Sequence, residues 1–367
     1  MEKSKVYFSD MHTKMDLNLP QKLERLCRRA GMMNIDFQNQ YAAIKIHFGE
    51  LGNLAFLRPN YAGVVADLVK EGGGKPFLTD CNTLYVGSRK NAIDHLETAY
   101  LNGFSPYQTG CHVIIADGLK GTDEALVPVD GDYVKEAKIG RALMDADIVI
   151  SLTHFKGHEA TGFGGALKNL GMGGGSRAGK MEQHSAGKPS VNQALCIGCG
   201  RCARICAHDA AKVVNKKSSI DHTKCVGCGR CIGVCPVDAI EPASDEANDI
   251  LNCKIAEYSK AIVQGRPCFH ISIAADISPN CDCHAENDVP IVPNVGMFAS
   301  FDPVALDQAC ADAVNAQTVL QGSVLAKMPH EHGDHFTDTH PDTNWKSCLE
   351  HAEKIGLGQR AYELIKV

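Results

Sequence analysis

No stretch of the chain approaches the ~18 consecutive apolar residues of a membrane-spanning helix. The first residues, Met-Glu-Lys-Ser-Lys-Val-Tyr-Phe, contain no apolar run of signal-peptide length. These absences lead to the expectation of a cytoplasmic protein with no membrane partner. A large excess of positive charge is also missing: the net charge is −6, which argues against nucleic acid as a partner. No flavin, nicotinamide or pterin fingerprint is present. The nearest approach to a phosphate-binding loop, Gly174-Gly-Ser-Arg-Ala-Gly-Lys180, matches G-x4-G-K, but Met181 stands where Ser or Thr would hold magnesium. The run also follows a helical pattern where a strand is required. It is expected to be a flexible loop with Arg177 and Lys180 exposed and His184 near a site, with no nucleotide hydrolysis.

What the chain has in quantity is cysteine, with 17 among 367 residues. In a cytoplasmic protein that points to metal and away from a disulfide framework. Eight of them fall in two runs. Cys196, Cys199, Cys202 and Cys206 have the spacing C-x2-C-x2-C-x3-C, and Cys225, Cys228, Cys231 and Cys235 repeat it, followed by Pro236. The pattern resembles that of bacterial ferredoxins carrying two [4Fe–4S] clusters. Three closely spaced cysteines can wrap one face of a cubane, and the fourth of each run points at the other cluster. Cys196, Cys199, Cys202 and Cys235 are therefore assigned to one cluster, and Cys225, Cys228, Cys231 and Cys206 to the other. Structural zinc also uses C-x2-C pairs, but two identical runs of four, each ending in C-x3-C, suit it poorly. Gly198, Gly200, Gly227 and Gly229 free the backbone to turn its N–H groups toward sulfur. Ala207 replaces the proline of the second run, which removes a rigid turn and no ligand.

The rest alternates strand and helix. Strands are expected over 41–48, 75–81, 111–117, 146–153, 267–275 and 290–300. Helices are expected over 21–30, 61–71, 91–102, 133–144, 244–264, 301–316 and 347–365, with 1–38 otherwise a lead-in. Such alternation implies βαβ units and an α/β fold, a mostly parallel sheet with helices on both faces. A ferredoxin-like segment at 187–242 interrupts it. The host is thus 1–186 plus 243–367. A segment as short as 187–242 cannot bury enough apolar surface alone, so its clusters would supply folding energy.

Four constellations in the host carry chemistry. Thr153-His-Phe-Lys-Gly-His-Glu, followed by Gly162-Phe-Gly-Gly-Ala-Leu-Lys-Asn, lies past a strand end and opens a helix, the edge where ligands bind in open α/β sheets. A glycine-rich helix start suits a small anionic ligand. His154, Lys156 and His158 are the candidate catalytic residues, with Lys168 beside them; close helix–strand packing demands the same glycines. Cys281-Asp-Cys283-His284 offers a third metal site, an additional ion in the host on Cys281 and Cys283; a loop of reduced thiols is the plainer alternative. His330-Glu-His332-Gly-Asp-His335 matches H-x-H-x-D-H of dinuclear hydrolases but lies too near the C-terminal end for the downstream ligands, and a polar loop is expected. Lys45, His47, Glu50, Asp80 and Asn82 sit at two strand ends and could converge on the same crevice.

Lys45-Ile-His-Phe-Gly-Glu, Asp80-Cys-Asn, His154-Phe-Lys-Gly-His, the Gly162–Gly173 run, Cys281-Asp-Cys and Ser300-Phe-Asp-Pro-Val-Ala-Leu-Asp together resemble the uncharacterised iron–sulfur-centre proteins of the domain of unknown function 362, over nearly the whole length. The resemblance implies the inserted-ferredoxin architecture and no particular reaction. The reading is an iron–sulfur electron-transfer protein, an oxidoreductase if an enzyme. Its partners would be a redox protein donor or acceptor and a ligand in the crevice; a homo-oligomer is compatible with it. Two other readings are kept: a metal- or anion-binding hydrolase or transferase with mainly structural clusters, and an assembly or scaffold factor for an oxidoreductase.

Overall fold

The computed structural model describes residues 3–84, 87–184, 188–242 and 248–367. The chain opens with strand β1 (Ser4–Asp10) and helix α1 (Leu19–Arg29), whose first turn is closed by a reciprocal capping box between Asn18 and Gln21. β2 (Tyr41–Lys45), α2 (Pro59–Glu71), β3 (Lys75–Asp80), α3 (Ala92–Leu101), α4 (Pro106–Thr109) and β4 (His112–Ile115) follow as successive βα units. A hairpin of β5 (Glu124–Pro128) and β6 (Glu136–Gly140) leads through α5 (Arg141–Asp145) to β7 (Ile148–His154). β8 (Lys156–His158), β9 (Gly162–Gly164), α6 (Ala166–Gly174) and α7 (Arg177–His184) complete the first part of the host. The 188–242 segment holds β10 (Pro189–Val191), α8 (Arg201–Ile205), β11 (Ala211–Val214), β12 (Lys217–Ile220), α9 (Arg230–Gly233) and β13 (Ile240–Pro242). The host resumes with α10 (Asn248–Val263), β14 (Cys268–Ala274), β15 (Gly296–Ser300), α11 (Pro303–Asn315), α12 (His335–Thr339), α13 (Trp345–Lys354) and β16 (Tyr362–Lys366).

Eight strands form one sheet in the order β16-β1-β15-β14-β7-β2-β3-β4. The run from β14 to β4 is parallel throughout. β15 runs antiparallel to both its neighbours, β14 and β1. From β2 the chain steps outward to β3 and β4, then returns to place β7 on the other side of β2. That reversal opens a crevice above the C-terminal ends of β2 and β7, where doubly wound sheets bind ligands.

The alternation of buried side chains explains why helices cover both faces. Ala42 and Ile44 of β2, Ile148, Ile150 and Leu152 of β7 and Phe269, Ile271 and Ile273 of β14 pack with α1 and α2. Ala43, Val149 and Phe298 point the other way, toward α6, α10 and α11. Each fully buried Val, Ile, Leu or Phe among them stabilises the fold by about 1.5–3 kcal/mol.

Three expectations are corrected. The 1–38 lead-in contributes a sheet strand, β1, because β15 and β16 pair with it from both sides. Residues 133–144 are not a helix: Ala137 and Ile139 are buried alternately with more exposed neighbours, and β6 pairs with β5 before a helix starts at Arg141. The 347–365 helix stops at Lys354, followed by Gly356 at φ +74°, and the end of the chain becomes β16 beside β1. The seams expected at 186/187 and 242/243, and the start of the helix expected at 244, lie outside the described residues or at their edge.

The 188–242 segment is built differently. Its buried apolar cluster is Cys202, Ala211, Ile232 and Ile240, joined by Leu84 and Met181 of the host. No helix among the described residues is long and apolar enough to cross a membrane.

Candidate functional site: two cysteine cages and a buried crevice

The two cysteine runs cross over in space. One cavity, of about 310 Å³ with its open mouth included, is lined by Cys196, Cys199, Cys202 and Cys235 with Val213, Val237 and Ile240. A second, of about 370 Å³, is lined by Cys206, Cys225, Cys228 and Cys231 with Ala211, Ile220 and Val226. Each cage thus takes three sulfurs from one run and the fourth from the other. Gly198, Gly200, Gly227 and Gly229 all have φ between +64° and +74°, and a Cβ on Gly198 would meet the Lys216 carbonyl at 2.3 Å. Backbone N–H groups point at sulfur: Ser218 to Cys196 (3.3 Å), Ala210 to Cys206 (3.3 Å) and Ala239 to Cys235 (3.2 Å). Burial, with the neighbouring Cys228 and Cys225, pushes the Cys231 thiol up to about 12. Four crowded thiols in an apolar cage are stabilised as thiolates by a bound cation, and the donor set fits an iron–sulfur cluster.

Arg177 joins this region to the host. It is 2 % exposed, donates to the Lys90 carbonyl, and lies under α9, where a Cβ on Gly229 would meet its side chain at 2.7 Å. Burial depresses its pKa, while Asp117 of the host and Cys231 and Cys228 of the cage act against that. Arg177 and Lys180, expected on an exposed loop, are instead buried in α7. Lys180 donates to the carbonyls of Gly175 (2.6 Å) and Gly173 (3.2 Å), so the segment makes no phosphate loop.

The crevice holds about 840 Å³ of empty space, and its lining includes Lys45, His47, Asp80, Lys168, Lys180 and His184. Lys45 reaches Asp80 and Asn169, both at 2.9 Å. Arg89 pairs with Glu50 at 2.9 Å just behind. Burial pushes the Asp80 carboxyl up, but the Lys45 ammonium leads the opposing charges that hold it well below the carboxylate range. Burial, reinforced by Arg89, drives His47 down to about 3; burial and Lys168 do the same to His184. Both rings are thereby kept neutral.

The sequence candidates His154, Lys156 and His158 all line this crevice, but the first two face inward partners. His154 Nδ1 lies 2.9 and 3.0 Å from the two carboxylate oxygens of Asp282, and Nε2 lies 2.8 Å from the Ala275 carbonyl. With both nitrogens against acceptors, the ring is not placed to take a proton from a ligand. Lys156 Nζ donates to the His154 carbonyl (3.1 Å) and pairs with Asp282 at 3.4 Å. His154 and Lys156 both hold Asp282, between Cys281 and Cys283. His158 Nδ1 accepts the N–H groups of Ala160 (3.0 Å) and Thr161 (3.2 Å), which leaves Nε2 as the protonated nitrogen of the neutral ring.

His158, Cys281 and Cys283 bring their donor atoms within 4.8 Å of one another; Glu159, Cys283 and His284 form a second such group. These are candidate metal-ligand groups. Lys168 Nζ also lies 3.4 Å from Cys281 Sγ, and the Cys283 N–H points at the same sulfur at 3.4 Å. A hydrogen bond from Cys283, together with Lys168 and His158, favours the Cys281 thiolate over burial, while the pairing with Cys281 keeps the proton on Cys283.

The glycine-rich helix start is not open to an external anion. Asp307 of α11 accepts from the N–H groups of Ala166 (2.7 Å) and Leu167 (3.0 Å), and a Cβ on Gly165 would meet it at 2.4 Å. His330 Nδ1 lies 3.9 Å from Asp338, but His330, His332 and His335 join no group of three or more ligands among the described residues. Asp334 caps α12 and accepts from Trp345 Nε1 at 2.8 Å, and His335 Nε2 lies 2.9 Å from the Gln317 carbonyl. Sequence reasoning assigned no role to Glu159 or Asp307; adjacency to His158 was the available signal for the first, and for the second its place at the end of the Ser300–Asp307 motif.

A family profile described as "Domain of unknown function (DUF362)" matches residues 42–312. This chain belongs to the DUF362 family. The match takes in the crevice, both cages and the Cys281–Cys283 turn. A thylakoid-associated protein of Synechocystis sp. is 30 % identical over 119 residues, which is 32 % of this DUF362 chain and 33 % of that relative. The chain thus matches about a third of that relative's length. Among solved structures, the lactate racemase apoprotein of Thermoanaerobacterium thermosaccharolyticum aligns at a TM-score of 0.39 and 9 % identity, over 74 % of this chain and 51 % of that one. A protein of Thermotoga maritima aligns at 0.35 and 14 %, over 71 % and 52 %. Both structures are longer than the region they share with it and too distant to bear on activity.

Proposed function

We propose that this DUF362 chain is an iron–sulfur redox protein in which 188–242 is a two-cluster module serving the α/β host. The observation that carries the reading is the crossed sorting of eight cysteines into two separate four-sulfur cages. Cys196, Cys199, Cys202 and Cys235 would hold one [4Fe–4S] cluster; Cys206, Cys225, Cys228 and Cys231 would hold the other. When bound, each cluster supplies one-electron exchange, at a potential set by hydrogen bonds to sulfur and by solvent exposure. The chain's own contribution is the set of N–H donors aimed at Cys196, Cys206 and Cys235 and the Arg177 guanidinium under the second cage. A redox partner protein is supported by the rim of the first cage, where Leu195 and Ile197 are 50 % and 61 % exposed beside the exposed Cys199. A small anionic ligand in the host is supported by Lys168 and Lys180 in the crevice wall.

The test is anaerobic purification with iron and sulfide analysis, followed by stepwise reduction with a low-potential donor. About eight iron atoms per chain and a paramagnetic signal on reduction are expected. Protein without iron, or with zinc in its place, sinks the reading.

A further inference from the structure

His154, Lys156, His158 and Lys168 of the crevice converge on one short turn. The His284 N–H donates to the Cys281 carbonyl at 3.2 Å, closing a turn over Cys281–His284. A turn brings residues i and i+2 from the ~7 Å of extended chain into the Cα range of about 4.4–6.8 Å that a disulfide spans. The turn is clamped from behind. Asp282, fully buried between the two cysteines, holds His154 and Lys156, and its carbonyl accepts the Glu50 N–H at 2.9 Å. With Asp282 facing inward, Cys281 and Cys283 both line the crevice, their sulfurs within 4.8 Å of each other. The two sulfurs are not equivalent. Lys168 Nζ lies 3.4 Å from Cys281 Sγ, and the Cys283 N–H points at that same atom.

We propose that Cys281 and Cys283 are a redox-active dithiol of the host crevice, which exchanges with low-molecular-weight disulfides. The Cys281 thiolate attacks one sulfur of the substrate; that S–S bond breaks, one thiolate leaves, and a mixed disulfide forms on Cys281. Cys283 then attacks the Cys281 sulfur, closing the internal disulfide and expelling the second thiolate. The Cys283 proton leaves on one of the two products. The substrate disulfide has gained two electrons, and the dithiol has lost two. A dithiol reductant reverses the sequence by the same exchange. Lys168 and His158, one cationic and the other holding its proton on Nε2, stabilise the attacking thiolate. The same two groups disfavour a metal here: a dication would face the Lys168 ammonium, and His158 would have to exchange its two backbone donors for a different tautomer.

The inference does not depend on clusters in 188–242, and its test is read separately from them. Full-length protein, purified anaerobically, is equilibrated in a series of reduced and oxidised dithiothreitol ratios, acid-quenched, alkylated and analysed by mass spectrometry of the peptide containing 281–283. The expected result is a reversible two-electron transition in which that peptide becomes two hydrogens lighter and resists alkylation. With oxidised glutathione, Cys283→Ser is expected to accumulate a glutathione adduct on Cys281. Lys168→Met is expected to slow adduct formation at least tenfold, and Lys168→Arg to restore it to within a few-fold. Free alkylation of both cysteines at every ratio overturns the proposal. So does a stoichiometric metal that shields both thiols until a chelator removes it. Both readouts on the unsubstituted chain stand even if a variant fails to fold.

Discussion

The α/β host and the 188–242 segment are ordered by opposite means. The host buries whole strands: all of Ile148–His154 and all of Gly296–Ser300 lie in the interior. Its charges are buried with their partners, Lys45 with Asp80 and Asp282 with His154. The 188–242 segment has short strands, helices of at most five residues, and an apolar cluster completed by Leu84 and Met181 of the host. In place of a core it has two cages of thiols. Packing orders the first region; on the function proposed above, the second would take its order from the metal its sulfurs hold, as small domains without a large core do.

The largest expected effect breaks that comparison most directly. Anaerobic treatment with a strong iron chelator should abolish amide-exchange protection across 188–242 while leaving protection in β2, β7 and β14 intact. A segment that stays protected without metal would mean that packing orders it too. Lys45→Met should cost about 3–5 kcal/mol in urea unfolding of the host, because it takes from the buried Asp80 carboxylate its nearest cation, without altering the iron content of the cages. Gly171→Ala tests close packing between α6 and α10, where a Cβ would meet the Ile255 carbonyl at 2.2 Å. About 1–3 kcal/mol is expected, again confined to the host. The smallest effect concerns acid. The carboxyls of Asp80 and Asp282 are held below their ordinary range in the fold, where Lys45 and His154 lead the charges that outweigh burial. Their contribution is therefore present above the unfolded value of about 3.9 and is lost as pH falls from there toward the folded values. Asp282→Asn should remove about 1.4 kcal/mol per pH unit from the acid limb of the stability curve. An unchanged slope would mean that the carboxyl titrates alike in both states.

Much of the host was legible because parallel strands buried on both faces read as continuous apolar runs, as in Ala146-Asp-Ile-Val-Ile-Ser-Leu-Thr. The misreadings share one cause. β1, β6 and β16 are polar enough to pass for lead-in or helix, and only their sheet partners make them strands. Likewise, the glycines before α6 suggested an anion site, and the sequence could not show that Asp307, from a helix across the core, already occupies it.

The spacing of the two cysteine runs, a local property, by itself determined which sulfurs could share a cage, and the βα alternation determined the kind of sheet. Tertiary structure alone decided what the crevice does with its charges. Ile273 of β14 lies in register with His154 of β7, which delivers Asp282 to His154 across 128 positions of chain and Cys281 to Lys168 across 113. Hydrogen bonds between residues so far apart depend on how strands are paired, and no local pattern of residue types encodes that pairing.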